Sequence, residues 1–215
     1  YSVATMSFAA THVLCALALE RSLGITNKKE YLSGAVYPDS RYVTKIERSF
    51  THTVFSLSPT SSNFERGWHT HLRCDALMGP GYLLGSSYRA RDIQPFNDAF
   101  IHISAMKLVE DLRSFCRQGV RTPLRTLEAP TAIPPRGEIP ELLERYYDLL
   151  RKLYSAPSLV PGDYEPLFQG ILPERVGAQI IAKAYALQRD TALTAAHIAH
   201  QRSAFATLAA EYSAR

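Results

Sequence analysis

Apolar residues recur at three- and four-residue intervals along most of this chain, and the two-residue alternation of a half-buried strand is almost absent. The spacing predicts a helix over 7–23 with apolar residues on nearly every side (Phe8, Val13, Leu14, Leu17, Leu19), ended by Gly24. A helix of that kind belongs in the middle of a bundle. Asn27, with Glu30 three residues on, caps a short second helix that Gly34 stops after Ser33. Asn63 is placed to cap a third helix running to Met78, where Gly79, Pro80 and Gly81 break it. A long amphipathic segment follows from Phe96 to Cys116, with Phe100, Ile103, Leu108, Leu112 and Phe115 on its apolar face. Further helices are expected near 140–155, 173–188 and 190–212. The fold class is all-α, a multi-helix bundle.

Prolines interrupt this regularity. Between Thr122 and Pro140 there are five, at 123, 130, 134, 135 and 140. Proline lacks a backbone donor and clashes with the preceding helical turn, so the stretch reads as an extended surface connector. The expected organisation is a helical core over 1–121, a proline-rich connector over 122–140, and C-terminal helices over 141–215 that complete the same domain. No repeat of 20–50 residues is visible, which excludes solenoid architectures.

Composition changes little in this picture. Hydrophobic residues at 46% and charged residues at 20% belong to an ordinary folded protein. The net charge of +4 is spread over 24 scattered lysines and arginines, without the dense stripe of a nucleic-acid groove. Nucleic acid is therefore a minor candidate partner, and the oligomeric state is left open. Cys15, Cys74 and Cys116 are odd in number and widely spaced, which argues against a disulfide framework or a zinc knuckle and for buried small hydrophobes. No apolar run reaches the length of a membrane span, and no signal peptide is apparent near the start, so a cytoplasmic location is the expectation. Tyr1 to Thr5 precede Met6, and the native start of the chain is not defined by the sequence.

The chemistry concentrates in GWHTHLRCD, residues 67–75. On a helix His71 and Asp75, four residues apart, share a face and can grip one cation between an imidazole nitrogen and a carboxylate. His69 lies on the other side of the helix. The ordinary reading of such a pair is an imidazole hydrogen-bonded to a carboxylate. Three further residues change the balance. His12 sits in the nearly all-apolar first helix, where its ring needs a partner, a backbone carbonyl being the common one. Asp39, after Pro38, can be aimed inward by a loop or can serve as a turn residue, and His52 can be a ligand or a surface histidine.

The series ATH at 10–12, GAVYPD at 34–39, FTH at 50–52 and GWHTHLRCD at 67–75 resembles the zinc-dependent phospholipase C family, related to the P1-type nucleases. The likeness covers about the first 80 residues. It implies an all-α fold that binds up to three zinc ions between helices and hydrolyses phosphoric esters, with a small phosphoester or phospholipid headgroup as substrate. Carried over by position, Asp39, His52, His71 and Asp75 would hold one zinc, and His12 with a bridging oxygen of Asp75 a second. Asp39 is also the candidate catalytic carboxylate. Where the family uses an N-terminal tryptophan, this chain has Tyr1. Such a site lowers the pKa of bound water towards about 7 and makes a nucleophile at neutral pH.

The chain departs from the family at the third ion. No histidine follows Asp75 closely, and the next helix offers His102 with Met106 four residues on instead of a HxxxE pair. Asp98 and His102 form a conceivable replacement pair. One or two zinc ions are therefore expected. His197 and His200 suit surface or helix-pairing roles, and Lys107 and Arg41 could neutralise a phosphate but are not singled out by pattern. The competing class is a non-enzymatic helical protein that keeps a structural or degenerate metal site and acts through partner binding.

Overall fold

In the computed structural model residues 8–130, 132, 134–169 and 171–213 are described, and among them every regular element is helical. The first helix, α1 (Ala9–Leu19), is apolar all round and is wrapped by other helices; Ala10, Val13, Cys15 and Ala16 lose all contact with solvent. The second, α2 (Lys28–Val36), starts where Asn27 accepts from the Glu30 backbone N–H at 3.2 Å. It does not stop at Ser33. Gly34 lies inside it and does steric work instead: a Cβ there would meet the Phe64 carbonyl oxygen at 2.1 Å.

Phe64 belongs to α5 (Asn63–Met78), and the complementary contact is made by Gly67, whose Cβ would fall 1.9 Å from the Tyr31 carbonyl oxygen. The two helices thus cross backbone against backbone, an approach open only to glycine. Ser62, not Asn63, caps α5: its hydroxyl accepts from the Glu65 N–H at 3.1 Å, and the Glu65 carboxylate accepts from the Ser62 N–H at 2.8 Å. Asn63 turns to the loop ahead of α2 and accepts from the Thr26 N–H. Between α2 and α5 the chain makes a 3-10 turn over Tyr37–Ser40 and the short helices α3 (Arg41–Thr44) and α4 (Arg48–Thr51).

The long helix α6 (Asp98–Phe115) is buried on nearly all sides. The stretch expected to be extended contains a helix, α7 (Arg121–Arg125). Pro123 sits in its first turn, where a missing N–H breaks no intrahelical bond. Arg125 at its far end donates to the carbonyls of Tyr154, Ser155 and Ala156. Then come α8 (Pro140–Leu153), α9 (Glu165–Phe168), α10 (Glu174–Gln188) and α11 (Thr191–Ser213). α10 packs on α6, α11 on α5 and α1, and α8 on α3 and α7, so that one apolar cluster runs from Phe8 to Tyr212. Cys15 and Cys74 are free and buried in it; Cys116, expected to be buried, is free and exposed at the end of α6. No helix among the described residues is long and apolar enough to cross a membrane.

Candidate metal centre

Five side chains from four elements converge on one place. His12 comes from α1, Asp39 from the 3-10 turn, His52 from the residue ending α4, and His71 and Asp75 from one face of α5. Asp75 is at the centre. Its Oδ1 lies 3.6 Å from His12 Nε2, and its Oδ2 lies 3.7 Å from His71 Nε2 and 3.9 Å from His52 Nε2. His52 Nε2 is also 3.7 Å from Asp39 Oδ1. Two groups of potential ligand atoms result, each within 4.8 Å: His12 with His71 and Asp75, and Asp39 with His52 and His71.

These separations discriminate between a hydrogen-bonded cluster and a coordinating one. Nitrogen–oxygen hydrogen bonds span about 2.7–3.2 Å. Ligands at about 2.0–2.1 Å from a tetrahedral zinc stand about 3.3–3.4 Å from each other. The observed 3.6–3.9 Å exceeds the first range and is close to the second. His71 sharpens the distinction, because its Nδ1 bonds the Ala35 carbonyl at 2.9 Å. A carbonyl only accepts, so Nδ1 carries the proton, and in the neutral ring Nε2 turns a lone pair towards the Asp75 carboxylate. Two acceptors facing each other leave a place for a proton, a bridging donor or a cation between them.

The unmet valences agree. His71 Nε2, Asp39 Oδ1 and both nitrogens of His12 are buried without a hydrogen-bond partner among the described residues. The carbonyl partner expected for His12 is not there; its ring stacks on that of His71 instead, with centroids 3.8 Å apart. Burial, then the neighbouring His71, pushes His12 well below the ordinary histidine value and His52 down to about 2, so both rings are neutral, as ligands must be. Burial raises Asp39 to about 6, with Asp75 adding to the rise against His71, Lys107 and Arg41. Burial works against the Asp75 carboxylate too, but Lys107, and the neighbouring imidazoles whenever they carry a proton, outweigh it and hold Asp75 well below the usual carboxylate range. Two of the rings are also held from outside the cluster: the Ala35 carbonyl accepts from His71 Nδ1, and Thr51 Oγ1 lies 2.9 Å from His52 Nδ1.

Other sequence candidates fall elsewhere. His69 points away from the cluster and pairs with the Tyr212 hydroxyl at 2.6 Å. His102 lies against the Tyr88 ring and bonds the Leu84 backbone, not Asp98. His197 is buried, 3.3 Å from Glu110 Oε2, and joins α11 to α6; His200 reaches the Leu77 carbonyl. Tyr1 lies outside the described residues. Lys107, named from the sequence but given no role, is 7% exposed and acts on Asp39 and Asp75; its place on the apolar face of an amphipathic helix was the available signal. Comparisons of the chain with protein-family models, curated proteins and solved structures find no match.

Proposed function

We propose that the chain is a metal-dependent hydrolase of phosphoric esters, with His12, Asp39, His52, His71 and Asp75 holding one or two zinc ions. The observation that carries this reading is the lone pair of His71 set against the carboxylate of Asp75 at 3.7 Å, with His12, His52 and Asp39 completing two triads around the same point. Imidazole and carboxylate are the donor types zinc accepts. When bound, such an ion supplies Lewis-acid polarisation and a nucleophile from water near neutral pH. The remaining work falls to the chain. Ala35 and Thr51 orient two imidazoles, and Lys107 keeps Asp75 charged. Asp39, facing His52 through Oδ1 at 3.7 Å, is the carboxylate that would complete the second triad in its ionised form. The substrate class is a small phosphoester or a phospholipid headgroup.

The test is elemental analysis of protein purified without chelators, together with hydrolysis of bis(p-nitrophenyl) phosphate. At least one zinc per chain is expected, with turnover lost to chelator and restored by zinc. Protein that takes up no metal overturns the reading. The near-complete burial of His12, Asp39 and His71 favours a second reading, a structural ion in a partner-binding protein. Stoichiometric metal without ester hydrolysis, and loss of helical structure on chelation, selects that one.

A further inference from the structure

Next to the Asp39–His52–His71 triad lies a second set of unsatisfied groups that metal binding does not use. Arg41 follows Asp39 by two residues. Arg48 precedes His52 by one helical turn, and the His52 N–H donates to the Arg48 carbonyl at 2.8 Å. Each arginine is therefore tied by the chain to one member of the triad. Arg41 Nε and Nη2, Arg48 Nε and the Tyr42 hydroxyl are buried with no hydrogen-bond partner among the described residues. The Arg41 guanidinium stacks over the Tyr42 ring, 4.0 Å from its centroid, which fixes the plane of its donors. Both arginines act electrostatically on His52 and on the Tyr42 hydroxyl, so the set and the triad share one neighbourhood.

The charge in this neighbourhood is unbalanced. Arg41 and Lys107 act on the Asp39 carboxylate, Lys107 on Asp75 and Arg48 on His52, three positive groups beside two negative ones, and a divalent ion would widen the excess. A neutral ligand would fill the hydrogen bonds and leave the charge. A carboxylate brings one charge and two oxygens. A phosphate dianion brings two charges and at least three acceptor oxygens, enough for both guanidiniums and the phenol together.

We propose that Arg41, Arg48 and Tyr42 form a phosphate subsite adjoining the triad, and that the substrate carries a phosphate dianion of the phosphomonoester kind. Calling that phosphate a substrate group rests on the hydrolase reading above; its binding does not. The group is either the ester that reacts or a second phosphate on the same molecule, and p-nitrophenyl phosphate against bis(p-nitrophenyl) phosphate separates the two: a lower KM for the monoester identifies the reacting group.

The binding test is calorimetric titration of inorganic phosphate into the wild-type protein, Arg41→Gln and Arg48→Gln, with metal content measured in each sample. Each variant should bind phosphate about tenfold or more weakly at unchanged metal content. Phosphate affinity equal in all three proteins, or absent in the wild type, overturns the proposal. If circular dichroism finds either variant unfolded, phenylglyoxal labelling of the wild type replaces it: phosphate should protect Arg41 and Arg48 in peptide maps, and absence of protection overturns the subsite. Arginine-dependent phosphate binding by protein without metal keeps the subsite and removes the hydrolase. Metal and ester turnover with phosphate affinity indifferent to both arginines does the reverse.

Discussion

Adjacent residues of α1 lead into two buried polar clusters that differ in one respect. The Thr11 N–H donates to Asp111 Oδ1 at 3.0 Å, while the hydroxyls of Tyr154 and Tyr164 both donate to Asp111 Oδ2 at 2.6 Å. Every polar atom named there has a partner. His12, the next residue, enters a cluster whose imidazoles and carboxylates stand 3.6–3.9 Å apart, beyond hydrogen-bond length, and in which His71 Nε2, Asp39 Oδ1 and both His12 nitrogens have no partner among the described residues. Burial penalises both clusters equally in kind. The first offsets the penalty internally and so welds α1, α6 and α8 together with the turn over Pro161–Tyr164; in the second, part of the penalty has no offset among the described residues. Completeness of pairing separates structural polarity from polarity kept for a ligand.

The widest break in that contrast is expected from His71→Ala. Loss of second-layer partners alone lowers metal affinity by about 10–100-fold, so removing a ligand should exceed about 100-fold and abolish turnover, read by zinc titration and ester hydrolysis. Helix content should hardly change. Asp111→Ala comes next: it strands two phenols and a backbone N–H, and should lower the unfolding free energy by about 3 kcal/mol in denaturant titration while zinc affinity stays near wild type. A zinc affinity that fell with it would merge the two clusters into one.

The smallest and sharpest test is pH. His12 and His52 titrate near 6.5 when unfolded and well below that in the fold, burial being the first cause. Below 6.5 the unfolded chain binds more protons, so the stability these residues contribute is present above 6.5 and is lost as pH falls, by up to about 1.4 kcal/mol per unit for each. Asp39 and Asp111, raised by burial from 3.8 to about 6, run the opposite way over that interval while protonation is free. A bound cation keeps Asp39 ionised and removes its share of the opposition. The melting temperature of zinc-loaded protein should therefore drop more steeply between pH 6.5 and 5 than that of chelated protein. Parallel curves would contradict a cation at Asp39.

What the sequence disclosed follows the range of each interaction. The periodicity of α5, α6, α8, α10 and α11 is local, and their expected limits lie within a few residues of the observed ones. Gly34 was misread as a stop because its role is set by Phe64, thirty residues away, and α7 was hidden by Pro123, harmless in a first turn. His71 and Asp75 were legible as a pair, since four-residue spacing puts them together on any helix. Nothing in the spacing of His12, Asp39 and His52 brings them to Asp75; the likeness of four short motifs suggested it, and the packing of α1 and of the 3-10 turn on α5, with α4 against that turn, places them there. The Asp111 network escaped altogether, because Tyr154 and Tyr164 have no local sign of a shared acceptor.

The glycine crossing of α2 and α5 has an effect beyond packing. It fixes the distance between the Ala35 carbonyl on one helix and the His71 ring on the other through main-chain contact, so the imidazole cannot swing without parting two helices. The orientational entropy that capturing an ion would otherwise cost has been surrendered during folding, and a ligand arriving at His71 meets a ring already aimed.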